Sequence, residues 1–170
     1  MGAVITPTIR PRRPGDLRGC VEAMAEVHAA DGYPQVWPGD PVGFLSPPDV
    51  LDAWVAVDGS AIVGQVLLRD GKGERAEFAD ADVDLPQRLA SVSRLFVTPR
   101  ARGTGVAAGL VAACVAGAGR DGRAVILSVV EGETAVGFYE RLGWRYLTSR
   151  PAEWRLADGG TPTMRYYRQP

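Results

Sequence analysis

Residues 94–110 read RLFVTPRARGTGVAAGL and decide the fold and the chemistry of this chain. The part up to Val97 predicts the end of a strand, and the small residues after Gly105 predict a helix. A glycine at a helix start lets the backbone approach a ligand closely, because it has no Cβ. The first N–H groups of a helix lack partners within it and lie at the positive end of its dipole. With Arg100 and Arg102 beside it, this turn predicts a site for phosphate or diphosphate.

The chain around this stretch predicts an alternation of strands and helices without an internal repeat. Asp16 is expected to cap the first helix, and Asp58-Gly59 to turn a hairpin. The strand before the glycine turn, the helix after it and the next strand predict a right-handed crossover. A polar segment, 70–86, predicts a solvated loop. The predicted strands are 8–10, 54–57, 62–68, 91–97, 124–130, 144–147 and 164–167, and the predicted helices are 17–31, 104–118 and 134–142.

Length and composition predict one globular domain spanning residues 1–170. The hydrophobic fraction of 46% and charged fraction of 23% are ordinary for a soluble protein. The net charge of −1 gives no basic field that would attract nucleic acid. No apolar run approaches the roughly 20 residues of a membrane span, and we see no secretory leader. We therefore expect a cytoplasmic enzyme with no nucleic-acid partner, no membrane partner and no metal site.

The glycine turn has two other interpretations. Gly103-x-Gly105-x-x-Ala108, with Glu131 further on, fits the fingerprint of dinucleotide-binding proteins. That fingerprint normally follows its strand at once, whereas 98–102 intervenes here, and too little chain follows for a second half of such a fold. A phosphate-loop NTPase is excluded because no Gly-Lys-Ser/Thr follows. Glycines that serve only a tight turn would leave the two arginines of the turn unexplained.

Two blocks of the sequence resemble the GNAT superfamily of N-acetyltransferases. Residues 95–107, LFVTPRARGTGVA, look like its motif A, whose core Arg/Gln-x-x-Gly-x-Gly/Ala is met by Arg102, Gly105 and Ala107. Residues 135–144, AVGFYERLGW, look like its motif B. The resemblance implies an α/β fold with a mixed, mostly antiparallel central sheet of about seven strands flanked by helices.

The resemblance implies acetyl-CoA (coenzyme A) as the cofactor. Its diphosphate would bind the N–H groups of residues 103–108, with Arg100 or Arg102 pairing the phosphates. Its pantetheine arm would enter between the strand that ends at Val97 and the strand that ends at Val130, where a backbone N–H could stabilise the oxyanion. The implied cofactor-binding residues are Leu95, Phe96, Val97, Arg100, Arg102, Gly103, Thr104, Gly105, Val106, Ala107 and Ala108.

The implied reaction is direct transfer of the acetyl group to a primary amine of a small molecule or a protein. Tyr139 matches the family position of the acid for the leaving thiolate, with packing as its alternative role. An alkyl amine has a pKa near 10, so a base or a desolvated site must deprotonate it. The 91–97 strand lacks the acidic residue that several relatives keep, so either a water chain replaces the base or the base comes from elsewhere, with Glu26 and His28 as two candidates. Glu131 and Glu133 are the other two. Both can equally favour the start of the next helix.

The acceptor site of relatives borders the first helix, which carries Glu26 and His28. Tyr33 and Trp37, from the proline-rich segment 33–49, either line this site or cover the sheet. These four residues are the predicted substrate-binding set. A non-catalytic acyl-CoA sensor on the same fold is the alternative function, and the resemblance also allows a homodimer.

Overall fold

A seven-stranded sheet forms the centre of the protein, in the order β1-β2-β3-β4-β5-β7-β6. The computed structural model describes residues 6–78 and 83–170. All neighbouring strands are antiparallel except β4 and β5, which are parallel. This is the mixed, mostly antiparallel sheet that the sequence predicted. The strands are β1 Thr8–Pro11, β2 Val50–Asp58, β3 Ala61–Asp70, β4 Leu89–Val97, β5 Ala124–Val130, β6 Arg145–Pro151 and β7 Thr163–Arg168.

Helices cover both faces of the sheet, so the core has two layers. Helices α4 and α5 pack on one face, around the largest apolar cluster. Helices α1 and α2 pack on the other face beside β2 and β4, and Phe78 at the end of α3 covers that face near β5 and β7. The helices are α1 Leu17–Asp31, α2 Pro41–Leu45, α3 Lys72–Glu77, α4 Val106–Arg120 and α5 Thr134–Arg141. Among the described residues, no helix is both long and apolar enough to cross a membrane.

All seven predicted strands and all three predicted helices are present. Their bounds differ from the prediction where contacts with other elements extend a strand or order a segment. Strand β2 begins at Val50 and β6 extends to Pro151, because β3 and β7 provide partners along their length. The predicted polar loop contains α3, which is followed by the buried Phe78, packed edge-on against Tyr166 at 4.9 Å between ring centroids. Asp80 and Asp82 of that loop lie outside the described residues.

Helix α4 lies unusually close to the sheet because two of its residues have no side chain. A Cβ added to Gly117 would lie 2.6 Å from the ring of Trp54, and one added to Gly109 would lie 2.5 Å from Ile9. Packing this tight leaves little room for the helix to shift. The start of α4 is therefore held in a fixed position at the edge of β4.

Asp16 precedes α1, but the prediction that its side chain caps this helix is wrong. Its carboxylate instead accepts hydrogen bonds from both terminal nitrogens of Arg10, at 2.7 and 2.9 Å, and from the N–H of Arg13 at 2.7 Å. These contacts lower the pKa of Asp16 to about 2, chiefly through the hydrogen bonds from Arg10. The pair ties the start of α1 to β1.

We expect Asp16→Asn to lower the free energy of unfolding at pH 7 by about 1 kcal/mol, since an ion pair near the surface contributes modestly. The folded-state pKa of Asp16 is depressed, so its contribution is present above the ordinary value of 3.8 and is lost as the pH falls towards 2. Urea unfolding of both proteins at pH 7 and pH 2.5 measures this. An equal difference at the two pH values would contradict the ion pair.

Candidate active site

The parallel strands β4 and β5 separate part of the way along their length. They pair from Leu89 with Ala124 to Val92 with Leu127 and no further. Beyond that point β5 remains paired with β7, and β4 remains paired with β3. The two facing strand edges are then available to an extended ligand that carries amide groups. This opening, which we call the β4–β5 gap, is the feature that the sequence predicted between the ends of these strands.

A β-bulge in β4 lies where the gap begins. Gln65 of β3 pairs with Phe96 and Leu67 pairs with Ser93, so that Arg94 and Leu95 together oppose one residue of β3. Arg94 has a φ of 52° and is the one non-glycine residue with positive φ in the described part of the chain. A bulge bends its strand, and this bend carries the end of β4 away from β5.

Gln65 holds this bulge from inside the protein, where its side chain is fully buried. Its Nε2 donates to the carbonyl oxygen of Arg94 at 3.1 Å, and its Oε1 accepts from Nη1 of Arg12 at 3.0 Å. The same Arg12 nitrogen also donates to the carbonyl oxygen of Leu45 at 2.7 Å. Because both ends of the buried amide are satisfied, it stabilises the irregular backbone.

The turn between β4 and α4 presents a row of backbone N–H groups. The first hydrogen bond of α4 runs from the N–H of Gly109 to the carbonyl oxygen of Gly105, at 3.0 Å. Among residues 6–78 and 83–170, no oxygen accepts a hydrogen bond from the N–H groups of 103–108. Gly103 and Gly105 have φ of 75° and 81°, and a Cβ on either would meet no atom within 4 Å. Unpaired amides beside open space at a helix N-terminus fit a diphosphate.

The two arginines of the turn lie at its sides and are already paired. Nη1 of Arg100 is 3.4 Å from Asp58, the last residue of β2. Arg102 pairs with Asp31 at the end of α1, and its Nε donates to the carbonyl oxygen of Val97 at 3.3 Å. Both side chains are about half exposed, at 50% and 44%. They can therefore contact a phosphate only by sharing or leaving their carboxylate partners.

Tyr139 of α5 is buried in the core beneath the sheet. Its ring packs edge-on against Phe138 at 5.0 Å and Trp144 at 5.7 Å, and 4% of the residue is exposed. Burial raises the pKa of Tyr139 far above that of a free phenol, and the nearby phenol of Tyr33 raises it further. Tyr33 belongs to the loop on the opposite face, so each tyrosine packs in the apolar cluster of its own side of the sheet. The packing role of Tyr139 is real, and its phenol stays protonated at neutral pH.

Glu131 and Glu133 follow β5 and lie in different surroundings. The carboxylate of Glu131 is 3.9 Å from Nη1 of Arg165 on β7. The Oε1 atom of Glu133 accepts from Nε2 of Gln35 at 3.5 Å and thereby contacts the loop after α1. Neither arrangement includes a side-chain hydrogen bond that caps α5. Of these two candidate bases, Glu133 is the one that contacts the loop after α1. We call this loop the acceptor loop, because it carries the predicted substrate-binding residues Tyr33 and Trp37.

Three of the four predicted acceptor residues lie together. Nδ1 of His28 is 2.8 Å from the carbonyl oxygen of Pro34, and its ring is 5.3 Å from that of Trp37. Tyr33 lies between them and the sheet, with its ring 6.4 Å from that of Phe96. Glu26 is separate, because it lines a groove that also includes Ser60 and Arg100. His28 therefore positions the loop after α1, and Glu26 does not share its site.

Sequence reasoning assigned no role to Gln65 and none to the Arg94 side chain. The signal for Gln65 was present, since it is the only polar side chain in the apolar run 62–68. Arg94 stands at the start of the decisive stretch, but its positive φ cannot be predicted from residue type. In the described ranges, no cluster of His, Cys, Asp and Glu side chains is arranged to hold a metal ion.

The arrangement of sheet, gap and glycine turn defines a class of acyl-group transferases that bind a diphosphate-containing cosubstrate. A family model described as "Acetyltransferase (GNAT) domain" matches residues 50–146. The chain belongs to the GNAT acetyltransferase family. Its family membership confirms the predicted fold, enzyme class and acetyl-CoA cosubstrate, and the dinucleotide-binding interpretation of the glycine turn is wrong.

Solved structures share the whole fold at low sequence identity. NAA60 of Arabidopsis thaliana in complex with acetyl-CoA is 20% identical with a TM-score of 0.73, covering 96% of this chain and 97% of that one. The ribosomal-protein-S18-alanine N-acetyltransferase of Escherichia coli is 17% identical with a TM-score of 0.70, covering 96% and 93%. A putative phosphinothricin N-acetyltransferase is 18% identical with a TM-score of 0.69, covering 96% and 97%. No significant match was found among curated protein sequences.

We expect Gly105→Val to weaken coenzyme A binding by about tenfold or more, because a branched side chain would enter the space before the unpaired amides and one charge-assisted hydrogen bond is worth about 1.5–3 kcal/mol. Isothermal titration calorimetry with coenzyme A measures this. Gly159→Val is the matched control, since Gly159 has a φ of 83° and equally open surroundings in the β6–β7 loop. Coenzyme A affinity that is the same in both variants would contradict the diphosphate site.

Proposed function

We propose that this protein transfers the acetyl group of acetyl-CoA to the primary amine of a small molecule. The observation that carries the proposal is the joining of the unpaired amides at residues 103–108 to the β4–β5 gap. A diphosphate held by these amides lies at one end of the gap, and an extended arm reaches along the strand edges from there. Bound acetyl-CoA would supply an activated thioester. The protein orients the two reactants, excludes water from the site and provides groups that accept and donate protons.

Residues of both faces of the sheet take part. The backbone of β4 near Leu95 and Val97 orients the ligand arm, and an N–H at the bulge stabilises developing negative charge on an acyl oxygen. Arg100 and Arg102, at the edge of the turn, add positive charge near the diphosphate. On the acceptor side, the loop that carries Tyr33 and Trp37 covers the site.

A small acceptor is favoured over a polypeptide by a contact across the site. Gln35 of the acceptor loop reaches Glu133 at the end of β5, 3.5 Å away. This contact links the acceptor loop to the segment between β5 and α5, and a polypeptide chain inserted between them would have to break it. A free small amine enters without displacing the loop. Glu133 also places a carboxylate there that can accept a proton from the incoming ammonium group.

Tyr139 serves as a hydrogen-bond donor. Its raised pKa lies far above the value of about 8.5 for a thiol, so complete transfer of its proton to a thiolate is unfavourable. A neutral phenol still stabilises an anionic sulfur by donating a hydrogen bond. The proton released by the amine then neutralises the thiolate over the course of the reaction.

The proposal predicts release of free coenzyme A thiol when acetyl-CoA is mixed with the protein and a suitable small amine. A panel of amino acids, polyamines, aminoglycosides and peptides with free N-termini, followed with a thiol reagent, measures this. Turnover that is confined to peptides would replace the small-molecule acceptor with a protein acceptor. Coenzyme A binding without turnover on any amine would favour the acyl-CoA sensor.

We expect Tyr139→Phe to lower kcat by about 10- to 100-fold with little change in the dissociation constant of coenzyme A, because the lost hydrogen bond forms as the thiolate leaves. Tyr146→Phe is the matched control, since Tyr146 is 50% exposed and, among the described residues, its hydroxyl hydrogen-bonds to Ser149 alone. Steady-state kinetics and calorimetry on both variants measure the effect. Full activity of Tyr139→Phe would reduce Tyr139 to a packing residue.

A further inference from the structure

Arg94 carries a positive charge without a carboxylate partner in the described part of the chain. Its guanidinium carbon lies 3.8 Å from the centroid of the Phe44 ring, and its Nε is 3.4 Å from the carbonyl oxygen of Phe44. No acceptor lies within hydrogen-bond distance of its two terminal nitrogens among the residues described. The neighbouring Arg69 differs, because it forms a close pair with Asp49 at 2.8 Å.

This charge is costly to maintain where it lies. Arg94 is partly buried, and burial lowers the pKa of its guanidinium. Its backbone also adopts the left-handed region, which costs a non-glycine residue roughly 1–2 kcal/mol. Gln65 provides a buried hydrogen bond that maintains this conformation. Strain of this kind persists where the surrounding structure fixes it, and functional sites are where it concentrates.

Arg94 also lies at the acceptor side of the β4–β5 gap. It is the bulge residue at which β4 leaves β5, and the charge of Arg94 is close enough to Tyr33 to influence its pKa. Phe44, over which the guanidinium lies, packs in the same apolar cluster as Tyr33, and the Tyr33 ring is 6.4 Å from that of Phe96, two positions along β4 from Arg94. The guanidinium therefore lies on the same face of the sheet as the acceptor loop.

The chemistry of the guanidinium selects one kind of ligand group. The Phe44 ring holds the planar guanidinium group in one orientation. Its two terminal nitrogens can then donate two parallel hydrogen bonds, in the manner of a fork. Such a fork matches a carboxylate, and an anion there would remove the cost of the unpaired charge. A second ammonium group at this position would be repelled.

We propose that Arg94 binds the carboxylate of the acceptor, so that the preferred substrates are amino acids or similar amines that carry a carboxylate a few bonds from the reacting nitrogen. The inference rests on the proposed function and specifies its substrate class. Polyamines and peptide N-termini, which offer no carboxylate at that distance, are then poor acceptors.

The test compares alanine, methionine, glutamate and lysine with their carboxamides as acceptors. The amine of a carboxamide loses its proton more readily, so chemistry alone favours the amides. We expect the wild-type protein to prefer the acids by about tenfold or more in kcat/KM, mainly through KM, because a bidentate ion pair acts on binding. Arg94→Asn should remove this preference, and Arg94→Lys should retain part of it.

The variants are chosen to preserve the backbone. Asparagine is among the residues that tolerate positive φ best, so Arg94→Asn removes the charge without adding strain. Arg155→Asn is the control, since Arg155 is exposed in the β6–β7 loop and its one side-chain hydrogen bond within residues 6–78 and 83–170 is to the carbonyl oxygen of Gly159. Coenzyme A affinity and melting temperature of Arg94→Asn should stay close to those of the control. An acid preference that survives in Arg94→Asn would overturn the inference.

A binding experiment separates this inference from the proposed function. With coenzyme A at saturation, calorimetry compares N-acetylmethionine with N-acetylmethioninamide on wild type and on Arg94→Asn. Tighter binding of the acid by wild type, lost in the variant, supports the role of Arg94 whether or not any amine turns over. Equal binding of the two, or of wild type and variant, overturns it even if thiol release shows an active acetyltransferase.

Discussion

The separation of two parallel strands is the constraint on which the site depends. Pairing of β4 with β5 ends at Val92 and Leu127, and the bulge at Arg94 turns the rest of β4 aside. Without the bulge, continued pairing would consume the strand edges on which an extended ligand relies. The gap is thus an interruption of strand pairing in the middle of the central sheet. Gln65, buried among apolar side chains, keeps it from closing.

The gap also joins the two faces of the sheet, which otherwise form separate layers. Helix α4 presents its unpaired amides from one face, and the loop after α1 brings Tyr33 from the other. Tyr139 packs in the apolar cluster of one layer and Tyr33 in that of the other. A reaction between a large phosphorylated cosubstrate and a separate amine requires such a meeting point. Each partner can then be recognised by its own set of elements.

The arginines around this meeting point differ in whether they have a carboxylate partner, and this difference indicates which of them can bind a ligand. Arg100 and Arg102 pair with nearby carboxylates and are about half exposed, so they would reach a diphosphate only by sharing or leaving those partners. Arg94 is supported by an aromatic ring and, in the described part of the chain, by no carboxylate. A partly buried cation costs free energy unless it is paired, which is the basis for proposing an acceptor carboxylate as its partner. The same reasoning separates Glu131, which faces Arg165, from Glu133, which faces the acceptor loop.

The sequence alone determined the order of the elements, the glycine turn and the family, because these depend on local patterns. A continuous apolar run predicted the strand 124–130 with its true bounds, and the glycines at 103 and 105 indicated the start of α4. Tertiary structure decided what lies far apart in the sequence. Asp16 pairs with Arg10 rather than capping its helix, and Glu26, two positions before His28 on the same helix, lines a different groove. The bulge at Arg94 arose from the register between β3 and β4, which residue types do not specify, since register is set by packing and hydrogen bonding across strands.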